Sequence, residues 1–273
     1  YVVPVLEIDG QKQDGTGYKI ATNIDEINPR KIAKMGVDEA LSKINSKSIE
    51  TGNYKIALYN EAMVSLLSAF CGVFSADATQ KGLSLLKDKE NTMIASENVT
   101  IVDNPLLENG LSSAPFDDEG VATFRKEIVS KGKLTTLLHN LKTAHKANTK
   151  STGNGFKSSY ASSVSVSPSN FYIEKGDKSF NEVLNTLGEG LLITEFAGLH
   201  SGANAISGDF SLASKGFYIK DGKKAYPVDQ ITVAGNFFDL LKQITVVGDD
   251  LTFPLSSIGS PTVIATGLSV AGK

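Results

Sequence analysis

The stretch Gly198-Leu199-His200-Ser201-Gly202-Ala203-Asn204-Ala205-Ile206-Ser207-Gly208-Asp209-Phe210-Ser211 lies between two strand-like runs, residues 191–196 and 210–219. It holds three glycines, one histidine, and two side chains, Asn204 and Asp209, that bond readily to backbone amides. Glycine lets a backbone take positive φ and lets a second backbone approach closely. A polar connection of this kind is a surface loop, the place where peptides and ligands are often held. The flanking runs decide the fold. Asp221-Gly222 is a tight-turn dipeptide, so residues 210–219 and 223–228 pair as a hairpin, and 231–234 reads as a further strand. Strands joined by hairpins imply an α+β fold with a largely antiparallel or mixed β-sheet and flanking helices.

Working outward, Asn236 caps a predicted helix over 237–243. Residues 244–247 and 262–266 are the last predicted strands. Upstream, Ser179-Phe180-Asn181-Glu182 is a capping-box pattern that opens a short helix, and Gly188 closes it. Residues 123–129 and 134–138 pair across Lys131-Gly132. Two segments read as long loops: 100–122, with Pro105, Gly110 and Pro115, and 142–163, rich in Lys, Ser, Thr, Asn and Gly. The chain opens with strands over 1–8 and 17–21 around Asp9-Gly10. A helix over 29–44 follows, introduced by Pro29, then a short strand over 54–59. No internal repeat is evident.

Asn60 is expected to cap a helix running to about residue 78. Met63, Leu66, Leu67, Phe70 and Phe74 form one apolar stripe on it. Ser65, Ser68, Ala69, Gly72, Ser75 and Ala76 form a second stripe of small residues only. No charge falls between Glu61 and Asp77, so the helix is expected to be buried on most sides.

Composition sets bounds. The 273 residues are 41% hydrophobic and 21% charged, ordinary for a globular protein. A net charge of -3 supplies no attraction for nucleic acid. No apolar run reaches the roughly 20 residues a bilayer span needs. The single cysteine, Cys71, cannot form an internal disulfide, which points to a reducing, cytoplasmic setting. The chain opens at Tyr1 within a strand rather than at a methionine, as a fragment or processed chain does.

Catalytic groups are scarce. There is no phosphate-binding Gly-x-x-x-x-Gly-Lys-Ser/Thr loop, no dinucleotide fingerprint and no Gly-x-Ser-x-Gly elbow. His139 and His145 are six residues apart, about 240° around a helix, and read as ordinary loop or surface residues. His200 either donates to a bound peptide or only braces its own loop. A triad of Ser201, His200 and Asp209 is disfavoured because near neighbours rarely reach the required geometry. Asp117-Asp118-Glu119 could supply a catalytic carboxylate pair, but adjacent acids beside a glycine more often accept from backbone amides. Asn98-Val99-Thr100 is a formal glycosylation sequon with no sign of secretion around it.

The chain resembles the TldD/PmbA family, long labelled modulator of DNA gyrase. The residues that carry the resemblance are the helix from Glu61 to Asp77, Asp118-Glu119-Gly120, Ser151-Thr152-Gly153-Asn154, and the sequence from Gly198 on, including Ala234-Gly235-Asn236 and Val246-Val247-Gly248-Asp249-Asp250. The resemblance implies that residues 1–273 form the family's central and C-terminal region and that its N-terminal domain is absent from this chain. It implies two kinds of subunit. The TldD-like kind is a zinc metalloprotease with His-Glu-x-x-x-His on a helix and a cysteine ligand near the C-terminus. The PmbA-like kind, also called TldE, lacks them and pairs with the first. Here the motif positions read Leu67, Ser68 and Gly72, and no cysteine follows Gly248. The resemblance therefore implies a PmbA/TldE-type subunit that carries no catalytic residue, no metal and no cofactor of its own, with zinc only in a TldD-like partner.

The expected partners are that zinc subunit and a peptide substrate, with a homodimer when the chain is alone; the apolar segment 261–270 is the sequence support for self-association. Neither nucleic acid nor membrane is expected. His200, Ser201, Gly202, Asn204, Gly208 and Asp209 are the candidate peptide-binding residues, set on a loop flanked by strand edges. A second reading makes the chain an independent peptide-binding protein or zinc-independent hydrolase that uses the same cleft.

Overall fold

The protein is described by a computed structural model covering residues 1–21 and 23–273. The N-terminal part holds β1 (Val5–Ile8), β2 (Gln11–Asp14), α1 (Pro29–Ser42), β3 (Gly52–Asn53) and β4 (Ile56–Leu58). Next come α2 (Asn60–Phe70), α3 (Ala76–Gln80), β5 (Ile101–Asp103), β6 (Lys126–Ser130), β7 (Lys133–Leu134) and α4 (Leu141–Lys146). The middle contains β8 (Gly155–Phe156), β9 (Ser165–Val166), β10 (Phe171–Ile173), α5 (Phe180–Leu187), β11 (Gly190–Ala197) and α6 (Leu199–Gly202). The remainder is β12 (Asp209–Lys220), β13 (Lys223–Asn236), α7 (Phe237–Gln243), β14 (Ile244–Val247), β15 (Ile258–Gly259), β16 (Val263–Ala265) and β17 (Ser269–Ala271).

The main sheet has eight strands in the order β14-β16-β4-β11-β12-β13-β17-β3, and a second has five in the order β15-β10-β5-β6-β7. Only β4–β11 and β10–β15 pair in parallel within these sheets. The α+β, largely antiparallel expectation holds. The long β12–β13 hairpin turns at Asp221 (φ 51) and Gly222 (φ 70), both in the left-handed region that a two-residue hairpin turn needs.

Strand alternation builds two cores. Ile56, Leu58, Leu191 and Ile193 point to one face of the main sheet; Ala57 and Leu192 point to the other. The first face packs on α2 and α7, where Phe70 stacks on Phe237 at 4.6 Å between ring centroids. The second face packs on α5 through Val183, Leu184 and Leu187. Burial on both faces explains why β4 and β11 read as continuous apolar runs rather than alternating ones.

Several expectations need correction. β1 pairs with residues 11–14, not 17–21, because the turn at Asp9-Gly10 brings the next residues directly alongside. The helix expected over 60–78 breaks into α2, a single 3-10 turn at Cys71–Phe74, and α3, which Ser75 caps through its hydroxyl to the Asp77 amide. Asn60 is the first residue of α2 rather than its cap, and its amide instead donates to Asp250. The 100–122 segment contains β5, an inner strand of the five-stranded sheet. The 142–163 segment includes most of α4, which Asn140 and Thr143 cap reciprocally. The two strands expected over 223–234 are one strand, bulged at Gln230 (φ 56). The segment 261–270 is spent on β16, which lies between β14 and β4, so it offers no apolar surface for self-association. Among the described residues no helix is long and apolar enough to cross a membrane.

His139 is buried at 4% exposure rather than on the surface, and its Nδ1 has no hydrogen-bond partner. Burial, the largest cause, pushes its imidazole below the ordinary value of 6.5. The unfolded chain then binds the proton more readily than the folded one. The resulting stability is fully present above pH 6.5 and is lost as pH falls through the folded-state value. Urea midpoints measured from pH 7.5 downward should therefore decline more steeply in the wild type than in His139→Asn; equal slopes would disprove this assignment.

Candidate functional site

The small-residue stripe of α2 is not buried. Ser65 is partly exposed and Ser68 exposed, while Met63, Leu66, Leu67 and Phe70 lie in the core. Serine and alanine lower the helix surface, and an open hollow of about 570 Å³ lies above it. Glu61, Ser65 and Ser68 form its floor, with Leu199 of α6 on one side and Pro254 and Ser256 on the other. Asp250 holds the last wall in place: its carboxylate accepts from the Thr262 amide at 2.8 Å, the Thr262 hydroxyl at 2.6 Å and the Asn60 side chain at 3.2 Å. The 250–262 loop is thereby tied to the first residue of α2.

The glycine-rich loop reaches this hollow through Leu199, a residue that sequence reasoning did not select. Gly198 (φ 81) caps the single turn of α6, and the exposed His200 follows Leu199 in that turn. Ser201 Oγ donates to the Gly198 carbonyl at 3.3 Å. Gly202 passes so close to β12 that a Cβ there would lie 2.5 Å from the Ser211 carbonyl oxygen. Asn204 Oδ1 accepts from the Ile206 and Ser207 amides. Asp209 Oδ1 accepts from Asn236 Nδ2 at 2.9 Å, and its bonds to Asn236 and then Ser207 hold its carboxyl below the usual range. Gly208 is buried under Phe238. Of the six candidate residues, then, Ser201, Gly202, Asn204, Gly208 and Asp209 have contacts that shape the loop, and His200 presents its side chain to solvent. Nothing in the sequence pattern marked Leu199, Pro254 or Ser256, because the hollow forms only when separate loops meet over α2.

The Asp117-Asp118-Glu119 turn accepts from backbone amides. Asp117 takes the amides of Glu119, Val121 and Gly155, Asp118 that of Lys157, and Glu119 that of Leu141. The turn fastens the Ser151-Thr152-Gly153-Asn154 segment, whose Asn154 is fully buried.

The positions that the family resemblance assigns to a catalytic zinc carry none of its usual ligands. Leu67 is buried in the core, Ser68 faces the hollow, and Gly72 has no side chain and open space where its Cβ would stand. These positions offer no imidazole, carboxylate or thiolate, and Leu67 points away from Ser68 into the core, so they do not fit the ion. Cys71 Sγ donates to the Ser68 carbonyl, and burial raises its thiol to about 11. Among the described residues no group of three or more His, Cys, Asp or Glu side chains could hold a metal.

Residues 51–272 match the PmbA/TldA metallopeptidase C-terminal domain. The chain is 30% identical over 270 residues to the metalloprotease PmbA of Escherichia coli O157:H7, which covers 98% of this chain and 57% of that relative. It superposes with a TM-score of 0.91 and 41% identity on a Thermotoga maritima structure described as a candidate modulator of a DNA gyrase, over 97% of this chain and 60% of that one. TldE from Thermococcus kodakarensis shares the fold with a TM-score of 0.87 at 22% identity, over 98% of this chain and 61% of that one. The chain thus spans under two thirds of the length of each of these relatives. Through the match over residues 51–272, this chain belongs to the PmbA/TldD metallopeptidase family.

Proposed function

We propose that this chain is the non-catalytic, peptide-binding subunit of a TldD/TldE-type metalloprotease, acting in a reducing, cytoplasmic compartment beside a zinc-bearing relative. The observation that carries the reading is α2 itself. The helix borders an open hollow of about 570 Å³, yet the positions that the family resemblance assigns to zinc chemistry are Leu67, Ser68 and Gly72. A hollow kept open with its donor set missing suits a subunit that holds an extended segment and leaves bond cleavage to a partner. Small side chains on the floor leave space for a backbone, and Leu199 and Pro254 supply apolar walls. The Gly198–Ser211 loop sets one wall, so its interior hydrogen bonds serve binding indirectly.

Metal analysis of the chain purified without chelator should find only traces of zinc. Mixing with a TldD-like relative should give a stable complex that cleaves unfolded peptide, while neither subunit alone does so. One tightly bound zinc per chain would sink the subunit reading. Peptide cleavage by the chain alone in the presence of a zinc chelator would favour a zinc-independent hydrolase instead.

A further inference from the structure

A second hollow, of about 440 Å³, lies on the other side of Glu61, between α1 and the α5 face of the main sheet. Its apolar wall is aromatic. Tyr59 meets Phe180 edge-on at 5.7 Å, and both lean with Phe217 against the Val183–Leu184–Leu187 core. Its opposite wall is the Met35–Asp38–Ser42 side of α1. That helix packs on the segment after the N-terminal hairpin, where Gly17 lies so close to α1 that a Cβ would overlap the Ile32 carbonyl oxygen.

The charges around this hollow are satisfied, with one exception. Asp38 pairs with Lys34 at 2.7 Å. Glu39 takes Lys43 at 2.7 Å and the Thr16 amide at 2.7 Å, and Lys43 also reaches Glu195 at 3.5 Å. Glu61 accepts from the Tyr18 hydroxyl at 2.7 Å. Lys224 makes no salt bridge among the described residues. Its Nζ stands 4.2 Å from the Phe217 ring centroid at the rim. The side chain is exposed at that rim and open to an incoming anion.

We propose that this hollow binds the C-terminal residue of a peptide, with the free carboxylate on Lys224 and an apolar last side chain against Tyr59, Phe180 and Phe217. A lone ammonium matches a single negative charge. Glu61, which accepts from a neutral hydroxyl and makes no salt bridge among the described residues, keeps a negative charge on the far side that disfavours a dianion such as a phosphate monoester and acidic residues just before the terminus. The aromatic wall rewards an apolar side chain, and the ring beneath Lys224 keeps the cation in place for the carboxylate. This site is separate from the hollow over Ser68, although Glu61 borders both.

The test is a fluorescence-anisotropy titration of the whole chain with a labelled hexapeptide ending in Phe-Leu, as the free acid and as the amide. The acid should bind about tenfold more tightly than the amide. Lys224→Gln should erase that preference while melting at the wild-type temperature. Equal affinity of acid and amide in the wild type, or no binding of either at millimolar peptide, would overturn the proposal. Retention of the preference in a folded Lys224→Gln would also overturn it, and would place the carboxylate elsewhere.

Discussion

Asp103→Ala is expected to destabilise the protein by about 3–5 kcal/mol, the cost of removing one partner from a buried ion pair. Asp103 is completely buried in β5 and Lys126 nearly so in β6. One carboxylate oxygen accepts from Lys126 Nζ at 2.9 Å and Asn154 Nδ2 at 2.8 Å. The other accepts from the Ser169 amide at 2.6 Å and its hydroxyl at 2.8 Å. Alanine would leave the Lys126 ammonium with only the Asn154 Oδ1 at 3.2 Å and would take the carboxylate away from the Ser169 amide and hydroxyl, while Asn154 Nδ2 keeps the Ser167 carbonyl. The damage should spread beyond the five-stranded sheet, because Asn154 also anchors the segment that Asp117 fastens. Adding Lys126→Met to Asp103→Ala should recover about half of the loss in a urea titration, since the stranded charge then disappears. If Asp103→Ala alone shifts stability by less than about 1 kcal/mol, water must reach this pair and the buried-network account is wrong.

Ser68→Trp should fold normally yet lose peptide binding. Ser68 is exposed on the outer face of α2, so the indole need displace no core side chain. It would occupy the floor of the hollow between Leu199 and Pro254. In a reconstituted complex with a zinc-bearing relative, proteolysis should fall on the order of tenfold or more, because an extended substrate would lose its bed. His200→Ala, by contrast, should change the rate little, since that side chain points to solvent rather than into the hollow. A fully active Ser68→Trp complex that melts like the wild type would show that the hollow does not hold substrate. Asn204→Ala is a poor probe of binding, because its side chain accepts two backbone amides of the loop.

Much of the fold was legible in residue order because the signals were local. The Asp221-Gly222 turn, the Ser179–Glu182 capping box, the Gly188 stop and the Asn236 cap each act within a few residues, and each is present in the structure. The carboxylates of Asp117-Asp118-Glu119 were readable for the same reason: short acids in a turn find amides close by. Where a signal depended on distant partners, residue order fell short. The charge-free stretch after Glu61 pointed to a helix buried on most sides, and it is, but residue order did not show that Ser68 would be the exposed position, beside a hollow that Leu199 and Pro254 border. The strand at Ile101–Asp103 carries too few residues to announce itself and is held by its neighbours β6 and β10.

By itself the sequence determined the α+β class, the turns and caps, and the absence of zinc donors at Leu67, Ser68 and Gly72, since side-chain chemistry and short-range geometry need no tertiary context. Tertiary structure alone decided the rest. It set which face of α2 stays open, it brought Leu199, Pro254 and Ser256 to one hollow, and it left Lys224 without a carboxylate over the Phe217 ring. The physical reason is that a site of this kind is made of gaps and unpaired charges. Those depend on how elements far apart in sequence fail to fill the space between them, and no periodicity along the chain encodes that.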